Sequence, residues 1–318
     1  MDEEAHEWHN AAIEASNLSQ TELVFGDVAR ATTTGETSVV LATRAGAPDL
    51  MAMFLANHAD ALHAAGEWEK AAGLFADAER RQKKNRPEYP LLYSMTGYHY
   101  CDLLLALGQA AEARDRAAQT LEWARPQNWV LDIALDTLTL GRAHHALAFQ
   151  SLTNAHSAEA VRDDACAAGA KLDEAIENLR ASGHLDFIPP GMLAHARFRR
   201  ALGDWDGAAR DFDEVEEIAE PGPMRLYLCD RALERARLAL AQREAFAPLN
   251  GLVEPTPPPP APPDPAEAAR LLEEARKELD AARKLIAECG YHRRDEELAE
   301  LDAVVADRCR FADLPPRV

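Results

Sequence analysis

A short pattern of small and apolar positions recurs along the chain. It consists of a glycine, an alanine five residues later, a core residue four further on, and a small or apolar residue three beyond that. Gly66, Ala71, Phe75 and Ala78 fit it, as do Gly108, Ala113, Ala117 and Thr120, and Gly203, Ala208, Phe212 and Val215. Gly26, Ala31, Gly35 and Ser38 form a weaker copy. Successive glycines lie 40, 42 and 95 residues apart. The long interval reads as two repeats plus an insertion. Ala148 lies 40 after Gly108, and Ala168, Leu172 and Ala175 fit a frame that opens at Asp163, 40 before Gly203. The insertion is therefore residues 149–163, on the polar stretch from Ser151 to Asp164.

Each repeat reads as a helical hairpin. Glycine ends one helix because it takes a left-handed backbone at little cost. Asp27, Glu67 and Asp204 then open the next helix, where a negative charge suits the dipole. The pattern predicts helices at roughly 4–25, 27–45, 49–65, 67–84, 91–107, 109–125, 129–148, 160–182, 190–202, 204–219, 223–243, 266–289 and 293–309. Pro87, Pro90, Pro126, Pro189, Pro190, Pro221 and Pro223 are expected between them. Residues 244–265 hold nine prolines and read as a polyproline linker within the last hairpin, burying little. A hairpin of this kind cannot bury its apolar face alone, so it must stack on its neighbours. The expectation is one all-α solenoid over residues 1–318. It has about six hairpins and a C-terminal helix, with Leu298, Leu301 and Val305 on one face, capping the open end.

Composition agrees with helix. The 318 residues include 63 Ala and 39 Leu but only 17 Ile and Val, and β-branched residues are what a sheet would need. The net charge of -20 argues against generic nucleic-acid binding, which depends on neutralising phosphates. No apolar stretch approaches the ~20 residues of a membrane span. The start, Met1-Asp2-Glu3-Glu4, is acidic where a secretory signal is basic and then apolar. Five cysteines without a Cys-x-x-Cys spacing suggest neither a disulfide framework nor a zinc ribbon. A cytoplasmic location is expected, and 28 Arg against 6 Lys, with so much Ala, suggest a GC-rich bacterial genome.

The segments from Gly66 through Trp68, Ala71 and Phe75 to Ala78, and from Gly203 through Trp205 and Ala208 to Phe212, resemble the tetratricopeptide repeat (TPR) family. Ala59, Cys101, Gly141, Ala196 and Cys229 take that family's small-residue position in the first helix. The Trp of the family pattern is missing, and the period is about 40 residues instead of 34, so the chain resembles a divergent, long-period branch. Leu91–Leu105 and Glu288–Arg294 are similar to repeat arrays attached to bacterial NACHT/STAND-type signalling ATPases. The resemblance implies a right-handed superhelix whose first helices line a concave groove that holds peptides or partner helices.

Chemistry-bearing residues are sparse. His6 and His9 lie near Glu3, but His-Glu-Trp-His lacks the spacing of zinc hydrolases. His99 and Cys101 are two residues apart, so one helix turns them to different directions. Arg80, Arg81, Lys83, Lys84 and Arg86 crowd a helix C-terminus, where positive charge is favoured; they read as a solvated helix end or a docking patch for an acidic partner. The proline run reads as a spacer or as a Pro-x-x-Pro ligand. No phosphate-binding Gly-x-x-x-x-Gly-Lys-Ser/Thr loop occurs. No metal or cofactor is implied.

The most informative residues lie one position after the small residue of each first helix: Asp60, Asp102, Arg142, Arg197 and Asp230. Helical spacing adds Asn57, His63, Tyr98, Leu138, His145 and Arg200 to the same stripes. Two readings remain open. The stripe is a binding groove in which Arg142 and Arg197, side by side, await an anionic group of a partner; or it is a ladder of pairs such as Asp102–Arg142 and Arg197–Asp230. The function expected is non-catalytic recognition of a protein or peptide in a signalling or defence system, with a STAND-type ATPase as one candidate partner. The alternatives are a regulator responsive to a peptide or small molecule, and a structural subunit of an enzyme complex.

Overall fold

The computed structural model describes residues 3–46, 50–154, 157–254, 257–258 and 260–315. All regular structure among them is helical. The α-helices are α1 (Glu3–Val24), α2 (Val28–Ala45), α3 (Met51–Ala64), α4 (Trp68–Asn85), α5 (Ser94–Ala106), α6 (Ala110–Gln127), α7 (Val130–Thr153), α8 (Ala158–Ser182), α9 (Ile188–Leu202), α10 (Trp205–Ala219), α11 (Arg225–Glu244), α12 (Pro265–Cys289) and α13 (Asp295–Val305). Single 3-10 turns cover Leu185–Phe187, His292–Arg294 and Phe311–Asp313. Among the described residues no helix is long and apolar enough to cross a membrane.

The repeat pattern sits where a hairpin needs it. Gly26, Gly66, Gly108 and Gly203 all have positive φ, from +76° to +86°. Asp27 and Asp204 cap the following helices by accepting from the Arg30 and Gly207 backbone N–H groups. Ala71, Phe75 and Ala78 are fully buried, as are Ala208, Phe212 and Val215. At Gly141 a β-carbon would lie 2.8 Å from the Leu172 side chain, so α7 and α8 approach too closely for any larger residue.

Proline placement differs from expectation at three positions. Pro189 and Pro190 open α9, where the first N–H groups have no helical acceptor. Pro126 lies in the last turn of α6. Residues 149–153 continue α7 and 158–163 open α8, so the inserted stretch lengthens two helices instead of forming a separate loop. Asp49 of the third predicted helix, Ala155 and His156 of the insertion, and Pro255, Thr256 and Pro259 of the linker lie outside the described residues, as do Met1 and Asp2.

The linker is not a solvated spacer. Leu249 is fully buried, and its backbone N–H donates to the Ala201 carbonyl at 2.9 Å. The Asn250 amide donates to the Leu202 and Pro257 carbonyls. Leu252 and Val253 pack on the core formed by α7 to α10. The segment is thus folded back over the turn between α9 and α10.

The odd-numbered helices α1, α3, α5, α7, α9 and α11 form an inner row, each touching the next, and the even-numbered helices pair with them outside. The row closes on itself, because α11 also touches α1 and the His292–Arg294 turn touches α3. One apolar cluster joins the two ends. Leu23, Val28, Ala31, Ala61 and Ala64 from the N-terminal hairpins pack with Leu233, Ile286, Cys289, Tyr291 and Leu301. Gly26 is pressed against Arg225 and Cys289, and Gly66 against the His292 and Arg293 backbone. The expected open stack capped by a terminal helix is therefore corrected. The C-terminal elements close onto the N-terminal ones, and α13 packs on α12 and α11.

Candidate functional site

Closure turns the concave face into a chamber of about 580 Å³. Every inner helix contributes to its wall: α1 through Gln20, α3 through Asn57 and Asp60, α5 through Tyr98 and Asp102, α7 through Arg142, α9 through Leu193 and Arg197, and α11 through Tyr227 and Asp230. Tyr291, Arg293 and Arg294 enter from the C-terminal segment. The mouth carries Asn17, Thr21, Arg86 and Met95, all exposed.

The stripe residues separate into two groups. Asn57, Asp60, Tyr98, Asp102, Arg142, Arg197 and Asp230 line the chamber. His63, Leu138, His145 and Arg200 lie behind its wall. Leu138 is fully enclosed in the core, and His145 packs edge-on against Phe198. Arg200 reaches over the Phe311 ring and toward Glu234, 3.4 Å away. Burial, with Arg200 and Arg197 nearby, pushes the His145 imidazole down to about 3, so it stays neutral.

Charge in the wall is organised around the C-terminal segment. Arg293 donates to Asp102 Oδ2 at 2.7 Å and approaches His63 Nδ1 at 3.2 Å, while Arg142 donates to Asp102 Oδ1 at 2.6 Å. Burial acts to raise the Asp102 carboxyl, but Arg293 and Arg142 outweigh it and hold it well below the usual carboxylate range. Burial and the same Arg293 push His63 well below its ordinary value. Arg294 takes Asp230 through two parallel bonds of 2.8 and 2.9 Å and reaches Glu297 at 3.1 Å. Glu297 also accepts from Arg237, and Arg197 donates to Glu234 at 2.9 Å. The result is a buried network spanning α5, α7, α9, α11 and the C-terminal segment.

Both sequence readings of the stripe are therefore modified. The Asp102–Arg142 pair forms, but Arg197 pairs with Glu234, and Asp230 with Arg294. Arg142 and Arg197 do not wait for an external anion, since each already holds a carboxylate. Sequence reasoning missed Arg293, Arg294, Tyr227 and Glu234. Glu234 follows Asp230 by one helical turn on the same stripe, a signal that was available. Nothing in the repeat spacing signals that residues 291–294 return to residues 63 and 102.

Cys101 is buried, and burial pushes its thiol up to about 12. Arg80 and Arg81 both pair with Asp77, and Arg86 donates to the Tyr93 hydroxyl. Among the described residues no group of three or more His, Cys, Asp and Glu is placed to hold a metal ion. Compared with protein-family models and with curated proteins, the chain matches none.

Proposed function

We propose that this protein is a non-catalytic receptor that holds a small molecule or short peptide in its central chamber. The observation that carries the reading is the closure itself. An ~10–12 Å helix with its side chains does not fit beside Arg293 in a chamber of about 580 Å³, whereas ligand sites of roughly 300–1,000 Å³ suit small molecules. The support favours the ligand-responsive regulator over a groove that grips a partner helix.

The fold behind the proposal is a divergent TPR-like array of six hairpins. It is a right-handed solenoid short enough for its ends to meet. The 40-residue frame, the positive-φ glycines and the buried small positions support it. A cytoplasmic signalling or defence role, with a STAND-type ATPase or another effector reading the outer helices, follows from the same resemblance. A ligand that bridges the inner helices stabilises the closed form by binding it selectively.

The test is a thermal-shift screen of metabolites and short peptides on the full chain, followed by calorimetry. A ligand that raises the melting temperature in the wild type, and loses affinity when Asn57 is replaced by Leu, supports the chamber. A stable protein partner captured by the outer surface, with no small-ligand shift anywhere in the screen, contradicts it.

A further inference from the structure

The polar groups of the chamber are unevenly satisfied, and this inference rests on the reading of the chamber as a ligand site. Its inner arginines are occupied, and Arg86 at the mouth donates to the Tyr93 hydroxyl. Arg142, Arg197, Arg293 and Arg294 each hold a carboxylate at 2.6 to 2.9 Å. The groups around Tyr227 are not. Asp186, half-buried on the Leu185–Phe187 turn, lines the chamber and forms no hydrogen bond or ion pair among the described residues. Asp60 faces the His99 ring, 3.4 Å away, and the Gln20 amide, with Arg293 close enough to act on its charge. Tyr98 is 8% exposed, and neither its hydroxyl nor that of Tyr227 has a hydrogen-bond partner among the described residues. Neither hydroxyl is sealed from the chamber, so both are free to accept from a ligand there.

Negative charge gathers at Tyr227 itself. Burial pushes the Tyr227 hydroxyl well above its ordinary value, and the Asp186 and Asp60 carboxylates push it the same way, while at Tyr98 the cations Arg142 and Arg293 act against Asp102 and Asp60. The aromatic surface is suited to a cation too. The Tyr98 and Phe187 rings, both of which line the chamber, meet edge to face, with centroids 6.1 Å apart and planes at 87°. Positive charge is attracted to aromatic faces, and a chain of net charge -20 enriches cations around itself.

We propose that this corner of the chamber binds a primary organic ammonium group. Its N–H groups donate to the Asp186 carboxylate and to the Tyr98 and Tyr227 hydroxyls. The ring faces take the remaining positive surface. The body of the amine lies on the apolar wall at Pro190, Leu193 and Leu226, which also line the chamber. An anion entering here meets Asp60 and Asp186 and must compete for arginines already paired.

Three probes with one carbon chain and different head groups test this: hexylamine, 1-hexanol and hexanoate, titrated calorimetrically into the full chain at pH 8. Hexylammonium is expected to bind one site at least tenfold more tightly than hexanol, with hexanoate weakest. Asp186→Asn should erase the preference for the amine while hexanol binding persists. Tyr227→Leu, checked for an unchanged helical spectrum, provides the second variant and should also weaken the amine. Hexanoate binding more tightly than hexylamine overturns the amine assignment but leaves the chamber as a ligand site. Equal binding of all three, or no binding of hexylamine, overturns the assignment as well. The chamber reading falls separately, if the broader ligand screen is also empty.

Discussion

Arg142 and Arg197 show how far a single side chain can be read before folding. Their place on the inner stripe follows from helical spacing, and both line the chamber. Their partners do not follow, because Arg293 comes from 151 residues beyond Arg142 and no repeat period connects the two. Removing both arginines leaves Asp102 with Arg293, and Glu234 with Arg200 at 3.4 Å and Arg237 at 3.9 Å. Deleting one partner of a buried pair costs ~3–5 kcal/mol when it strands the other charge, and here each carboxylate keeps a second arginine. Arg142→Ala with Arg197→Ala is therefore expected to lower stability in urea unfolding by less than that; an unchanged midpoint would show that the network is dispensable. Asp136 gives a second residue-scale expectation. It is buried in α7, accepts the Thr120 hydroxyl at 2.7 Å, and burial pushes its carboxyl up to about 7. Its folded value lies above its unfolded one, so the protonated form stabilises the fold and that contribution is lost as pH rises from about 4 toward 7. Asp136→Asn should flatten this part of the stability profile relative to wild type. If the two profiles stay parallel from pH 4 to 7, the carboxyl does not titrate in that window.

At the scale of elements, the helices were legible because each hairpin repeats its own grammar of glycine, small residue and aromatic wedge. The proline segment was not, since proline content reports what a stretch cannot be and says nothing about where it docks. Leu249, Leu252 and Val253 were the apolar signal within it. Leu249 is fully buried beside Ala201, so Leu249→Ala should cost ~2–5 kcal/mol. A chemical-denaturation midpoint within error of wild type would mean that the segment lies free. Ala208, fully buried at the start of α10, tests the hairpin frame in the opposite direction. Ala208→Leu overpacks that contact and should lower stability by ~1–3 kcal/mol.

For the whole molecule, the repeat count argues for an elongated, open array, and the contacts argue for a closed one. What decides between them is the apolar cluster that joins Leu23, Val28 and Ala31 to Ile286, Cys289 and Tyr291. These residues look like ordinary core positions in the sequence, so the closure was invisible there. The accessible surface of 14432 Å² is near the ~13,000 Å² expected for a compact chain of 34.9 kDa. The chamber, its charged wall and the ligand site proposed within it all depend on this closure. Small-angle X-ray scattering of the monomer in solution tests it most directly. The closed arrangement predicts a radius of gyration close to the ~20 Å of a compact chain of this length. A markedly larger radius, with the broad distance distribution of a curved, elongated particle, would show that the ends do not meet and that the concave face is open.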